Sequence, residues 1–424
     1  MHLVYRKTCR VCGSEALTPV IDLGEQYLQG SFVKPGKEEP PKRKIACRLL
    51  RCDPTRDENA CGLLQMEHSV PPEILYSAYW YRSGTNATMR NHLKGIVEEI
   101  TEVVGTESAS VLDIGCNDGT LLGFYPETFE RWGVDPSDVA AEVGGGVKTV
   151  IDLFPSEKLN QGFGKDRKFD AVTSIAMFYD LEDPVGFVKA INNVLSANGL
   201  WIFEMSYMPT MLKKTSYDTI CHEHIEYYSV AVIERILKMG GMKLVNATLN
   251  DSNGGSIRCF ATPVENVSIH NNEWIENLKK LRASEFDLKL DTDEPYRDFQ
   301  ERVEKQRDEL VQLLNRLRSE GKTIHLYGAS TKGNTILQWC GIDNEMIEYA
   351  AERNPDKFGA MTLGSEIPII SEAESRAMKP DYYLVLPWHF RDEFIEREKE
   401  ILQEGAKFIF PLPEVEVVGA EIFE

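Results

Sequence analysis

The chain contains no apolar run approaching the roughly 20 residues that a membrane-spanning helix needs, which argues against a transmembrane protein. It begins Met-His-Leu-Val-Tyr-Arg-Lys and reaches cysteines at once, without the features of a secretory signal, so the cytoplasm is the expected compartment. Positive charge is scarce: 47 Lys and Arg stand against 67 Asp and Glu, a formal net charge of −20. No basic face compensates, which disfavours nucleic acid as a partner. Local lysines and arginines can still hold a small anion within such a field. Tandem repeats are missing, and so is the G-x-G-x-x-G fingerprint of a dinucleotide site. What is present, 42% apolar and 27% charged residues over 424 positions, is the composition of a globular protein with about three domains.

Five of the nine cysteines fall within the first 61 residues. Disulfides are not expected in a cytoplasmic chain, and such clustering points to a metal. Cys9-Arg-Val-Cys12-Gly13 has the form of half a zinc knuckle, two thiolates followed by a glycine turn. Cys52 and Cys61 are the expected second pair, with Asp53–Asn59 looping out between them. Cys47 is the spare, on an apparent strand from Lys44 to Leu50. Four thiolates close a structural site, and reduced cysteines without metal are the alternative.

After Pro71-Pro72 strands and helices alternate. Ser110–Ile114, Glu130–Val134, Phe169–Ser174, Leu200–Met205, Lys243–Leu249 and Ser256–Thr262 read as strands. The last two are separated only by turn residues, Asn250 to Gly255, so a parallel sheet ending in a hairpin is expected. Residues 265–320 carry no strand pattern; Leu281–Leu290 and Phe299–Leu317 read as helices, the second amphipathic and packing on a neighbouring domain. A second αβ pattern starts at Thr323, with Gly328-Ala-Ser-Thr-Lys-Gly333 as a turn before a helix.

Val111-Leu-Asp-Ile-Gly-Cys-Asn-Asp-Gly-Thr120 is a strand, a glycine turn and a helix start. Its backbone admits a ligand closely, with a helix N-terminus behind. Asp135 ends the next strand, where a carboxylate holds a ribose hydroxyl pair. Asp113, Gly115, Cys116, Asn117, Gly119 and Asp135 together look like the S-adenosylmethionine site of a class I methyltransferase. Two further clusters carry chemistry. His222-Glu223-His224, followed by Tyr227 and Tyr228, is dense in proton-moving groups near a strand end; a surface cluster or a metal pair is the alternative. Tyr76, Tyr79, Trp80 and Tyr81 precede the glycine turn and either cap the cofactor and line a substrate pocket or pack into the core. Lys332, in the second glycine turn, is the first choice for holding an anionic diphosphate, with Ser330, Asn334 and Arg258 behind it.

The order of these motifs, Cys-x-x-Cys, Tyr-Trp-Tyr-Arg-Ser-Gly, Leu-Asp-Ile-Gly-Cys-Asn-Asp-Gly, His-Glu-His-Ile-Glu-Tyr-Tyr-Ser and Tyr-Gly-Ala-Ser-x-Lys-Gly-Asn-Thr, resembles the nucleotide-sugar C-methyltransferases from Cys9 to about Phe410. The resemblance implies an α/β chain of three domains: a small zinc-binding unit (1–68), a class I methyltransferase Rossmann-like domain (69–264) and, beyond a helical linker (265–320), a second Rossmann-like domain enclosing the sugar nucleotide (321–424). It implies methylation at C3 of a 4-keto-6-deoxy sugar, with S-adenosylmethionine and structural zinc as cofactors. His224 is then the base, with Glu223 and tyrosines of the Tyr76–Tyr81 segment completing the site; His222, or the hydroxyl of Tyr79 or Tyr81, is the expected donor to the enolate oxygen. Cys221 stands where the resemblance expects a tyrosine, which leaves the enolate-steadying group open. A nucleotide-diphosphate sugar is the expected partner, with neither nucleic acid nor membrane, and the chain is expected to be a monomer or small homo-oligomer. Methylation at oxygen or nitrogen, and an inactive sugar-nucleotide binder, are the rival readings.

Overall fold

The computed structural model describes residues 3–36, 42–71, 74–75, 82–105, 107–164 and 167–423. Tyr76, Tyr79, Trp80 and Tyr81, expected at the cofactor or substrate, lie outside the described residues. No helix among the described residues is long and apolar enough to cross a membrane.

The N-terminal part is a small antiparallel sheet of β1 (Leu17–Gln26), β2 (Ile45–Cys52) and β3 (Leu64–Met66). The alternating apolar residues of β2, Ile45, Cys47 and Leu49, face inward. Helix α1 (Ala87–Val104) follows, capped by the Asn86 side chain.

A seven-stranded sheet forms the centre. Its members are β4 (Ser110–Ile114), β5 (Glu130–Asp135), β6 (Lys148–Ile151), β7 (Phe169–Ile175) and β8 (Leu195–Ser206), then, past the short β9 (Glu226–Tyr227), β10 (Met242–Asn250) and β11 (Ser256–Pro263). The spatial order is β10-β11-β8-β7-β4-β5-β6. All neighbours are parallel except that β11 runs antiparallel to both β8 and β10. This is the class I methyltransferase order, with the expected terminal hairpin. The order reverses between β4 and β7, so their carboxyl ends open the crevice in which such sheets hold ligands. Strand β6 went unread in the sequence because none of its residues is buried.

Strand β9 leaves this sheet and pairs with β3, Glu226 opposite Gln65 and Tyr227 opposite Leu64. The N-terminal sheet therefore takes its fourth strand from the segment that carries the His-Glu-His motif. A dipeptide strand has no periodicity from which to predict it.

Helix α2 (Asn272–Asp287) begins nine residues before the expected start at Leu281, capped by Asn271. Helix α3 (Glu294–Ser319) buries Phe299, Val303, Gln306, Leu310, Leu314 and Leu317. Its apolar residues share one cluster with Leu49 and Met66 of the N-terminal sheet, with Met208, Tyr217, Ile220 and Tyr227, and with the C-terminal sheet. The helix is thus a core element between the parts of the chain. The C-terminal sheet consists of β12 (Ile324–Tyr327), β13 (Ala350–Glu352), β14 (Ile369–Ser371), β15 (Tyr382–Val385), β16 (Lys407–Phe410) and the antiparallel edge β17 (Glu416–Val418), in the order β14-β13-β12-β15-β16-β17. Helix α4 (Thr331–Cys340) starts after the Gly328 turn.

Candidate active site

The donor half sits at the end of β4. Gly115, Asn117 and Gly119 all adopt positive φ, at 76°, 50° and 73°. A Cβ on Gly119 would lie 2.6 Å from Val143 Cγ1, so this tight turn excludes any larger residue. Asp135, at the end of β5, accepts from the Asn117 amide at 2.9 Å and the Ser137 amide at 2.8 Å. Its carboxylate therefore lies beside the turn, where a ribose hydroxyl pair would be recognised. Met177, just past β7, covers the other side: a Cβ on Gly115 would lie 3.3 Å from Met177 Cγ. The glycines, the Asp135 carboxylate and this apolar cover fit S-adenosylmethionine, with its ribose hydroxyl pair, its charged amino acid end and its sulfonium centre.

Two of the proposed cofactor contacts act differently. Asp113 is buried and accepts from Thr173 Oγ1 at 2.6 Å; burial pushes its carboxyl up to about 7, and it supports the turn from below. Cys116 turns its thiol into the core, where a Cβ on Gly133 would lie 2.7 Å from the sulfur. The side chain of Cys116 is therefore not placed to touch a ligand in the turn, contrary to expectation. The segment before α1 does reach the turn: the Ser83 amide donates to Asn117 Oδ1 at 3.0 Å and the Gly84 amide to Asp118 Oδ2 at 2.8 Å.

The acceptor half lies next to Met177 along the chain. The Tyr179 ring packs on the His224 imidazole, centroids 4.1 Å apart, and the Ile225 amide donates to the Tyr179 carbonyl at 3.0 Å. On the other flank the Met66 amide donates to the Ile225 carbonyl at 2.9 Å. His224 Nδ1 donates to the Thr219 carbonyl at 2.9 Å, which fixes the tautomer and leaves the Nε2 lone pair as the basic site. Burial, and next the charge of Lys332, lower the His224 pKa to about 3, so the ring is neutral at physiological pH. Glu223 Oε1 accepts from the Gly30 amide at 3.0 Å, while its buried Oε2 has no hydrogen-bond partner among the described residues; burial raises its pKa. A Cβ on Gly30 would lie 2.1 Å from Glu223 Oε1 and 3.4 Å from Thr331 Oγ1. Glycine is required there because the N-terminal loop, the motif and the first turn of α4 meet at one point.

Lys332, in that first turn, is half-buried. Its Nζ donates at 2.6 Å to the carbonyl of Asn253, in the turn of the β10–β11 hairpin. Burial lowers its pKa, opposed by the nearby Asp218 carboxylate. Asp218 accepts from Trp388 Nε1 at 2.9 Å. A Cβ on Gly254 would lie 3.0 Å from the Trp388 ring, so hairpin and C-terminal domain close over the same spot.

Several expected roles are corrected. His222 is 1% exposed, with Nδ1 on Gln29 Oε1 at 2.5 Å and Nε2 3.3 Å from the Ile45 carbonyl. It pins the motif to the N-terminal sheet and cannot donate to a substrate oxygen. Ser330 caps α4, accepting from the Gly333 amide. Asn334 is buried and donates to the Gln29 carbonyl at 2.6 Å. Arg258 is buried in ion pairs with Glu204 at 2.8 Å and Glu99 at 2.7 Å. None of these three presents its polar group as a diphosphate ligand. Tyr179, Thr219, Asp218 and Trp388 were not found in the sequence, because each enters through a tertiary contact with no local motif.

The four thiols of Cys9, Cys12, Cys52 and Cys61 gather with all sulfurs within 4.8 Å of one another. Cys12 and Cys52 are 3.4 Å apart and Cys9 and Cys61 3.5 Å, close to the spacing of ligands around one tetrahedral zinc. A soft all-sulfur set suits zinc. Cys47 is elsewhere, buried and donating to the Ile220 carbonyl.

Comparison with known proteins follows the same division. A zinc binding domain family matches residues 9–76, a methyltransferase domain family matches 86–247, and a C-methyltransferase C-terminal domain family matches 251–413. The chain is 29% identical over 417 residues to C-methyltransferase NovU of Streptomyces niveus, covering 97% of each. Among solved structures it is similar to an S-adenosylmethionine-dependent methyltransferase from Clostridium acetobutylicum, at TM-score 0.32 and 15% identity over 42% of this chain and 93% of that one. It is also similar to magnesium protoporphyrin IX methyltransferase from Synechocystis with bound S-adenosylmethionine, at TM-score 0.32 and 13% identity over 41% of this chain and 79% of that one.

Proposed function

We propose that the chain, similar over 97% of its length to a C-methyltransferase and matched in turn by zinc binding, methyltransferase and C-methyltransferase C-terminal domain families, uses S-adenosylmethionine with a structural zinc and methylates C3 of a nucleotide-linked 4-keto-6-deoxy sugar through an enolate. The observation that carries this reading is His224: a neutral imidazole with one nitrogen fixed on Thr219 and the other without a hydrogen-bond partner among the described residues, one loop away from the cofactor turn. A sugar C–H is not acidic unless a carbonyl stands beside it, and a 4-keto group provides that. His224 Nε2 takes the proton, and the C–H electron pair moves towards the carbonyl oxygen. Glu223 is placed to accept from a sugar hydroxyl through Oε2, which has no partner among the described residues. S-adenosylmethionine supplies the electrophilic methyl. Tyr179 and Met177, on one loop, keep the two halves in register.

The test is solvent exchange. TDP- and GDP-linked 4-keto-6-deoxyhexoses are incubated in D2O with the enzyme and S-adenosylhomocysteine. Deuterium at C3, and a product methyl on that carbon, support the reading. Exchange at C5, the other carbon beside the carbonyl, moves the position while keeping the chemistry. A product methylated on oxygen or nitrogen without exchange overturns it.

A further inference from the structure

We infer that Lys332 is a catalytic residue that stabilises the enolate oxygen, not primarily a holder of the substrate diphosphate. This rests on the enolate reading above and names the group that reading leaves open.

Placement comes first. The first turn of α4 is docked on the loop that carries the base: Thr335 Oγ1 donates to the Ile220 carbonyl at 3.2 Å, and Asn334 ties the same turn to Gln29. Thr331 stands beside Glu223 across Gly30. Lys332 is therefore brought to the Asp218–His224 loop by its own helix. Its ammonium is fixed rather than free to swing into solvent, since Nζ donates to the Asn253 carbonyl at 2.6 Å. An ammonium has three donors, so that bond leaves capacity for a substrate oxygen.

The neighbouring groups are poorly suited to the task. The Cys221 thiol is fully buried, and its pKa is pushed well above the ordinary value. The Tyr227 hydroxyl donates to the His224 carbonyl at 2.9 Å and that of Tyr228 to Glu226. His222 is committed to Gln29. The Lys332 charge, after burial, lowers the pKa of His224. That field makes the imidazole a weaker base. A fixed positive charge also stabilises an anion formed beside it, and low polarity strengthens the effect.

The step balances without a redox partner. His224 Nε2 gains the carbon-bound proton. The C–H pair becomes the C=C π bond, and the carbonyl π pair passes to oxygen. That oxyanion accepts a hydrogen bond from Lys332 Nζ, which keeps its proton. When the C=C pair makes the new C–C bond, the oxyanion pair restores the carbonyl, and the sulfonium–methyl bond breaks with its pair left on sulfur, giving S-adenosylhomocysteine.

Lys332→Met is tested for S-adenosylhomocysteine binding by calorimetry, then for deuterium exchange at saturating 4-keto sugar nucleotide in D2O. We expect exchange at saturation to fall about 100-fold or more, the size of losing one oxyanion donor, with cofactor affinity retained. Should Lys332→Met fail to bind S-adenosylhomocysteine, Lys332→Gln, which keeps a donor without the charge, is read in the same way. Exchange within about threefold of wild type at saturation, whatever happens to KM, overturns the proposal and returns Lys332 to diphosphate binding. If wild type itself shows no exchange yet methylates, the enolate reading fails, and this proposal with it.

Discussion

The ring of Tyr179 rests on the imidazole of His224 at 4.1 Å, and the Tyr179 carbonyl accepts the amide of Ile225, the residue after His224. The loop that ends β7 thus grips the base from above and from its backbone, while Met177 two residues earlier covers Gly115. Tyr179→Ala should therefore loosen the base without touching the cofactor turn. We expect kcat to fall about 10- to 100-fold, the scale of a small misplacement, with S-adenosylhomocysteine affinity unchanged by calorimetry. A matching loss of cofactor affinity would show that the loop serves the donor half instead.

Removing that ring also admits water to His224, which bears on pH. With a folded pKa of about 3, His224 stays unprotonated throughout the neutral range. The acid limb of kcat/KM assigned to the base should accordingly fall well below the ordinary histidine value of about 6.5. In Tyr179→Ala the burial that depresses the pKa is relieved, so the limb should move up. Profiles of both proteins between pH 4.5 and 9 decide this; a wild-type limb near 6.5 that is absent from an exchange-active His224→Gln would contradict it.

His224→Ala itself should lower methyl transfer by about 10²- to 10⁴-fold, the usual contribution of a positioned base. Cofactor binding should persist, because the nearest structural link to the turn runs through Met177 and not through the imidazole. Near wild-type turnover in this variant would remove His224 from the reaction.

The central sheet could be read from the sequence because Val111–Ile114, Phe169–Ser174 and Leu200–Met205 are short, mostly buried segments rich in apolar and β-branched residues and bounded by turns. The four cysteines whose sulfurs gather could be picked out as a set because Cys-x-x-Cys has a fixed meaning and Cys47 reads as an inward-facing strand residue. Roles within the His-Glu-His motif could not be read in the same way. His222 and His224 are two residues apart and chemically identical, yet one faces Gln29 and the other Thr219. What separates them is the pairing of β9 with β3, a contact between residues about 160 positions apart that leaves no local pattern. Arg258 misled for a related reason: a lone arginine on a strand looks available until Glu204 and Glu99, far away in sequence, neutralise it.

The buried His222 provides a stability test with a definite sign. Its folded pKa, lowered by burial to about 3, lies below the unfolded value near 6.5. Between those values the unfolded chain binds a proton that the folded chain does not. The contribution of His222 is fully present above about pH 6.5 and is lost as pH falls towards 3, by up to about 1.4 kcal/mol per pH unit. His222→Asn should be less stable at pH 7.5, since the Gln29 contact is lost, but its stability should decline less steeply between pH 6.5 and 4.5. Urea unfolding at a series of pH values measures both slopes. Parallel slopes would mean that this imidazole is protonated in the native state.

The zinc site should matter beyond its own loop, because Arg10 stands between its first two ligands. The Arg10 guanidinium donates to the Met66 carbonyl at 2.7 Å, to Gln65 Oε1 at 3.1 Å and to Ser69 Oγ at 2.8 Å. Gln65 and Met66 belong to β3, whose partner β9 begins two residues after His224. Stripping the metal, or Cys52→Ser, should release zinc at one equivalent and disorder the N-terminal sheet. The motif would then lose the flank that Met66 provides. Metal analysis should show the loss, amide exchange should rise in β2, β3 and β9, and turnover should fall. S-adenosylhomocysteine binding should remain, because β4, β5 and Asp135 belong to the other sheet. Protection of β9 that survives complete zinc removal would restrict the metal to a local role.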